Sequence, residues 1–263
     1  MTKNNYYKKI NEYYNKEACT YEERQYNNST IYKIRKDFRN ITLQHLTGEK
    51  ILDFGCGIGG DICYFAKMFP NKTFTGIDVS DKMLEQAQNK ISNAKLNNVH
   101  FIKGSIENIH DEKFDLIYVF FGSLNTVQDL DKAVEKLYYA LKDGGKIIVT
   151  FVNKWYFLGT ITQLMKLKFK SAFKRLRNVW GGYSPKYFLE SKTYYPSQIK
   201  KCFHKFTLIT KRGYSITHPA WYQDRITKKL GAFSNSLWRF DTFLSKTSFW
   251  AWGEYILLVY QKN

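Results

Sequence analysis

The second half of this 263-residue chain is nearly free of acid. Residues 151–263 hold 20 Lys and Arg against 4 Asp and Glu, while residues 1–150 hold 21 against 19, so +16 of the formal net charge of +18 falls in the second part. A balance of that kind speaks to association with anionic partners rather than to fold. Cysteine is sparse as well. Cys19, Cys56, Cys63 and Cys202 show neither paired nor metal-ligand spacing, which argues against a disulfide framework and a cysteine-bound metal and points to a reducing, cytoplasmic setting. No apolar run approaches the ~20 residues that cross a bilayer. The opening Met1-Thr2-Lys3-Asn4-Asn5-Tyr6 is polar from its start, so no secretory signal is expected. Internal repeats and long low-complexity linkers are also missing, and the length then suits one α/β domain with insertions.

Against this background one stretch stands out, Ile51-Leu52-Asp53-Phe54-Gly55-Cys56-Gly57-Ile58-Gly59-Gly60-Asp61. An apolar run that meets an acid and then a glycine cluster predicts a buried strand, a tight turn and a helix. Glycines permit the turn and a close approach of ligand to main chain, and the helix start offers unpaired N–H groups. Gly55, Gly57 and Gly60 also fit the dinucleotide fingerprint, so the glycines alone leave two ligands open. Asp53 separates them, because an acid at the strand end repels a pyrophosphate and suits a cation.

Further strands follow at regular intervals. Thr73–Asp78 ends in a second acid, and Asp78 lies twenty-one residues after Gly57, close to the offset at which a carboxylate accepts from ribose hydroxyls. Val79 and Met83 come next, either against an adenine or as ordinary core. Val99–Lys103 leads into Gly104-Ser105-Ile106. Phe114–Phe121, with Phe120 near its end, runs into Gly122-Ser123-Leu124-Asn125. A helix over 129–141 carries Leu130, Val134, Leu137 and Leu141 at helical spacing, and Lys146–Val152 is a fifth strand. Strands alternating with helices predict a parallel sheet covered on both faces, with ligands outside the carboxyl ends of its strands.

In this order the segments resemble class I S-adenosylmethionine-dependent methyltransferases of the small-molecule type, strongly over about residues 48–152 and weakly in the flanks. The resemblance implies an α/β, Rossmann-like sheet of seven strands with helical insertions, its last strand antiparallel and placed between the fifth and sixth. It implies S-adenosylmethionine as cofactor and S-adenosylhomocysteine as product, no metal, and a site built from Asp53, Gly55, Gly57, Asp78, Val79, Met83, Ser105, Ile106 and Phe120. Where the family often carries an acid for the adenine amino group, this chain has Ser105. By the same resemblance an aromatic residue of the N-terminal segment closes over the methionine end of the cofactor, Tyr21 first and Tyr14 second; the alternative is that both merely pack that helix on the sheet.

The expected organisation is an N-terminal helical cap (1–46), a cofactor-binding core (47–152), a basic aromatic lid insertion (153–204), and the end of the sheet (205–263) with a second insertion at 217–250. From Lys154 to Trp180 a long amphipathic helix, or a pair, is expected, with Leu158, Ile161, Met165, Phe169, Phe173 and Leu176 on one face and lysines and arginines on the others. Its competing roles are a lid, a helix on an anionic membrane surface, and a nucleic-acid face. Gly181–Pro185 is expected to end it. The Asn/Asp-Pro-Pro turn of amino-methylating DNA enzymes and the Pro-Cys pair of cytosine C5 enzymes are absent. The resemblance of Leu124–Asp131 and the aromatic insertions to small-molecule methyltransferases implies a small acceptor, and the Lys and Arg of the lid suit an anionic or lipid-linked one, methylated on O or N. His218, beside Pro219 and Trp221, is the candidate general base. The alternatives are an RNA-directed enzyme or a domain that binds cofactor without turnover.

Overall fold

A computed structural model describes residues 3–109, 112–181 and 188–263. Two helices open the chain, α1 (Lys3–Asn27) and α2 (Ser29–His45); Asn28 caps the second, its side-chain oxygen accepting from Ile31 N at 2.9 Å. Five strands and three helices then alternate: β1 (Lys50–Phe54), α3 (Gly60–Met68), β2 (Thr73–Asp78), α4 (Asp81–Asn93), β3 (Val99–Lys103), β4 (Phe114–Val119), α5 (Leu130–Ala140) and β5 (Leu141–Val152). The first insertion holds α6 (Phe157–Met165), α7 (Phe169–Ala172) and α8 (Pro196–Cys202). After β6 (Phe206–Tyr214), the second carries α9 (Asp224–Leu230) and α10 (Phe233–Leu244), and β7 (Tyr255–Lys262) completes the sheet.

The strand order is β3-β2-β1-β4-β5-β7-β6, with β7 antiparallel to both β5 and β6. This is the seven-stranded, Rossmann-like α/β sheet expected. Successive residues explain why it is covered twice. Leu116 and Tyr118 of β4, with Ile148 of β5, point to the side packed by Ile34, Phe38 and Ile41 of α2 and Phe65 of α3. Ile117 and Val119, with Ile147 and Val149, point to the side packed by Leu130, Val134 and Leu137 of α5. Period-two alternation with both sets apolar leaves no face for water. The chain moves outward from β1 through β2 to β3 and then crosses back to β4 on the other side of β1. That reversal opens a crevice at the carboxyl ends of β1, β2 and β4.

Of the two forms expected across 154–180, the pair of shorter helices is the one present: α6 and α7 are parted by a turn in which Leu167 takes φ +54°, although neither proline nor glycine marks the break. The apolar stripe of this segment is turned outward, with Met165, Phe169, Phe173 and Leu176 all exposed. The second insertion likewise carries two helices, parted at Gly231 (φ +51°). The break expected at Gly181–Pro185 lies, from Gly182 on, outside the described residues. No described helix is long and apolar enough to cross a membrane.

One close approach fastens the second insertion to the sheet. A Cβ on Gly213 of β6 would lie 2.1 Å from the Trp250 carbonyl oxygen and 2.8 Å from its carbon. Gly213→Ala must therefore push the short turn at Ser248–Trp252 off β6. Overpacking of this kind costs about 1–3 kcal/mol, and for a domain of this size the melting temperature falls by roughly 3–10 °C. Scanning calorimetry checks it; an unchanged melting curve would mean that the turn moves freely.

Candidate active site

The crevice at the strand ends is a cavity of about 890 Å³, partly open to solvent. Its floor is the turn after β1. Gly55, Gly57 and Gly59 take φ of +78°, +53° and +71°, angles that a side chain makes costly. Their reasons differ. A Cβ on Gly55 would meet Ser123 Oγ at 2.3 Å, and one on Gly59 would meet Ala87 Cβ at 2.9 Å, so these two serve packing. A Cβ on Gly57 would meet nothing nearer than Tyr21 Cε1 at 3.9 Å, and both residues line the cavity. Gly57 thus keeps ligand space open. The turn is held by Gly55 N and Cys56 N, which donate to Ile77 O at 2.8 and 3.1 Å.

Three carboxylates surround this space. Asp61, in the first turn of α3, is paired by Arg35 at 2.6 Å and Arg39 at 2.7 Å, both from α2. Asp53 is buried at the end of β1. Burial pushes its carboxyl well above the usual range and the nearby Asp61 charge adds to the effect. Asp78 Oδ2 accepts from Gly57 N at 2.8 Å and Oδ1 from Ser80 N at 2.9 Å. Burial raises Asp78 too, against the pull of those N–H groups. Among the described residues neither Asp53 nor Asp78 is in salt-bridge contact with a cation. Two acids short of positive charge, one buried and one partly buried, suit a cationic ligand, and the sulfonium and amino groups of S-adenosylmethionine supply that charge.

The roof comes from α1. Tyr7, Ile10, Tyr14 and Tyr21 all line the cavity, and their spacing of three, four and seven places them on one helical face. Val79, Met83, Ser105 and Phe120 line it as well. Met83 is also packed with Ala18 and Ile58. Ser105 Oγ accepts from Glu107 N at 3.2 Å. Of the expected cofactor residues Ile106 alone is not among the lining; it is buried with Val119 and Val127 in the core on the α5 side of the sheet. Sequence reasoning passed over Tyr7, Ile10, Gln25, Arg35, Asp61 and Phe121, all of which line the cavity. The α1 stripe was a readable signal for the first two. Arg35 and Arg39, four apart on α2, read only as part of a basic helix.

A second cavity of about 640 Å³ adjoins the first and shares Tyr14, Tyr21, Gln25 and Phe121 with it. Tyr13, Arg24, Ile31, Ile34, Trp221 and Tyr255 complete its walls. The second insertion reaches it through Trp221, whose carbonyl accepts from Asn28 Nδ2 at 2.7 Å. His218 is not brought there. It is fully buried, with Nδ1 2.9 Å from Pro219 O, Nε2 3.0 Å from Ser234 Oγ and its ring edge against Trp238. Burial lowers its pKa, and in this position the ring ties the insertion together instead of facing a substrate. No group of three or more His, Cys, Asp or Glu among the described residues could hold a metal.

Comparison with known proteins agrees with this geometry. Residues 45–207 match the model of a methyltransferase domain family. Malonyl-(acyl-carrier protein) O-methyltransferase 1 of Ilyobacter polytropus is 31% identical over 177 residues, covering 64% of this chain and 63% of that protein. The ubiquinone/menaquinone biosynthesis C-methyltransferase UbiE of Vibrio parahaemolyticus is 29% identical over 128 residues, 47% of this chain and 49% of that one. The chain thus spans about half to three-fifths of the length of these relatives. Among solved structures, geranyl diphosphate C-methyltransferase from Streptomyces coelicolor A3(2) superposes with a TM-score of 0.58 at 12% identity, over 89% of this chain and 81% of that one. The (4+2)-cyclase SpnF gives 0.55 at 19% identity, over 86% and 80%. At these identities the structures speak to fold alone, and a cyclase among them shows why fold does not fix chemistry. The family match, the glycine turn and the two unpaired acids agree: the chain belongs to the class I S-adenosylmethionine-dependent methyltransferases.

Proposed function

We propose that this protein methylates a carboxylate oxygen of a small or lipid-linked acceptor whose apolar body occupies the second cavity. The observation that carries the reading is the chemistry of that cavity's walls. Their titratable side chains are four tyrosines and Arg24. Burial raises Tyr14, Tyr21 and Tyr255, so these phenols stay protonated at neutral pH. Among the described residues no histidine or carboxylate lines it, and these walls offer no general base for a hydroxyl or ammonium acceptor. A carboxylate needs none, because it is already ionised and nucleophilic.

When bound, S-adenosylmethionine supplies a methyl group already activated on sulfur. The chain's own residues align the acceptor and exclude water, which can contribute roughly 7–11 kcal/mol of barrier lowering. Tyr14, Tyr21 and Phe121 wall both cavities and so set the line between acceptor and methyl group. Arg24, joined to Glu17 at 2.6 Å, brings a cation to the acceptor side. The O-methyltransferase among the relatives supports this reading, and the basic second half suits an anionic acceptor. An RNA acceptor is less well served by a pocket with aromatic and aliphatic walls.

A methyl-transfer assay against acyl carboxylates, phenols, amines and RNA tests it. The expected product is a base-labile methyl ester; transfer only to the other classes would overturn the carboxylate reading, and cofactor binding without turnover on any acceptor would favour a binding domain. Trp221, which lines the second cavity alone, provides an internal check. Trp221→Ala should lower kcat/KM for the acceptor roughly 10- to 30-fold, the loss of one well-packed aromatic contact, while cofactor affinity stays within about threefold. Equal losses in both would mean that the two cavities are not separate subsites.

A further inference from the structure

We propose that the turn between α6 and α7 docks this protein on an anionic lipid bilayer. Among the described residues, the exposed large apolar side chains before residue 151 are Tyr32, Met68, Ile102 and Tyr139, and all the others lie beyond it. They are densest in Met165-Lys166-Leu167-Lys168-Phe169-Lys170, six consecutive exposed residues. Met165, Leu167 and Phe169 are 79%, 76% and 58% exposed. Three bulky apolar tips alternating with three lysines match the two demands of a membrane surface. The tips enter the acyl boundary, and the lysine stems lie along it with their ammonium groups at the phosphates.

The turn is built for such a place. Leu167 N donates to Leu164 O at 2.8 Å and Lys168 N to Gln163 O at 2.9 Å, so these backbone N–H groups are already paired where water thins out. A second exposed apolar group lies at the start of α6. Exposed Phe157 and Phe249 both pack on Trp252, with ring centroids 4.7 Å apart, joining the second insertion to the start of α6. Charge is complementary too. Of the four acids after residue 150, Asp241 and Glu254 are buried, so half of the little negative charge there never reaches the surface. A nucleic acid would engage the lysines but leave Met165 and Leu167 without partners, since bases stack on rings rather than on aliphatic tips. The inference stands apart from the identity of the acceptor.

Vesicle co-sedimentation tests it, with phosphatidylcholine alone and with about 30% phosphatidylglycerol added. The full chain should sediment with the anionic vesicles, be released by salt, and ignore the neutral ones. The combined variant K166Q/K168Q/K170Q should lower the partition coefficient roughly 100-fold, about fivefold for each lysine. M165S/L167S/F169S should lose binding at least as completely. Both variants should keep the wild-type melting temperature and cofactor affinity, which separates docking from misfolding and from the methyltransferase reading. The proposal falls if the wild type ignores anionic vesicles, or if both variants bind them as the wild type does. It falls as well if RNA binds through the lysines without regard to the serine substitutions while vesicles do not bind. Sedimentation as a dimer that M165S/L167S/F169S disperses, with no vesicle binding, would assign the face to a second copy of this chain.

Discussion

Asp78→Ala should weaken S-adenosylmethionine binding by about 100-fold or more in a calorimetric titration. The carboxylate stands at the end of β2 and is held from behind by the N–H groups of Gly57 and Ser80. Its remaining lone pairs face the cavity at the offset suited to both ribose hydroxyls. Hydrogen bonds to a charged group contribute about 1.5–3 kcal/mol each, and two of them account for a loss of this size. An affinity unchanged by the substitution would move the ribose elsewhere. The pH dependence follows with a definite sign. Asp53 and Asp78 both have folded pKa values above the ordinary 3.8. Their contribution to stability is therefore present below that value and is lost as pH rises through the folded values. A bound cation favours the ionised forms, so affinity should rise with pH across the same window and level off above it. Asp53→Asn, which removes one buried charge, should stabilise the protein without ligand at neutral pH and reduce its affinity for cofactor. Substitutions that stabilise at the expense of binding are what a preorganised charged site predicts.

Arg175→Ala should be the most destabilising single change in the first insertion. Arg175 donates to Glu254 at 2.8 Å and to the Asn153 carbonyl at 3.2 Å, and lies against the rings of Tyr156 and Trp180. Glu254 is buried, and burial raises its pKa while Arg175 draws it back. Removing the arginine leaves the carboxylate uncompensated, at a cost of about 3–5 kcal/mol, which corresponds to a fall in melting temperature of roughly 6–20 °C. Arg175→Met with Glu254→Gln should recover much of that loss, because the isolated charge is gone. The pair sits beside Tyr255, a wall of the second cavity, so under the proposed function the single variant should also lose acceptor turnover at temperatures where it remains folded. A melting temperature within about 2 °C of wild type would show that the pair is dispensable.

Much of the cofactor side was legible because its determinants are local. Asp53, Gly55 and Gly57 lie within five residues, and the strand-end position of Asp78 follows from the strand that contains it. The placing of the last, antiparallel strand between the fifth and sixth followed from resemblance and holds. Failures came where a side chain's partner lies far along the chain. Asp61 meets Arg35 from 26 residues away, and no local pattern distinguishes that arginine from its basic neighbours. Periodicity placed Ile161, Met165 and Phe169 on one face, but periodicity does not say what the face meets; here it meets solvent. His218 drew attention by residue type beside a proline and a tryptophan. Folding buried it among Pro219, Ser234 and Trp238 and brought Trp221 to the pocket instead. Ile106 shared its loop with Ser105, and the 3-10 turn that starts at Ile106 carries its side chain into the core.

The position of α1 puts one element over two chambers. Its residues roof the first cavity and wall the second, and polar contacts latch it: Tyr6 Oη donates to Thr126 O, Ser80 Oγ donates to Asn15 Oδ1, and Gln86 Nε2 donates to Ala18 O. Any movement of α1 away from the sheet would have to break these latches. Lid motions of this kind run on microseconds to milliseconds and commonly limit turnover. Because one helix covers both chambers, a displacement of α1 would open the two together.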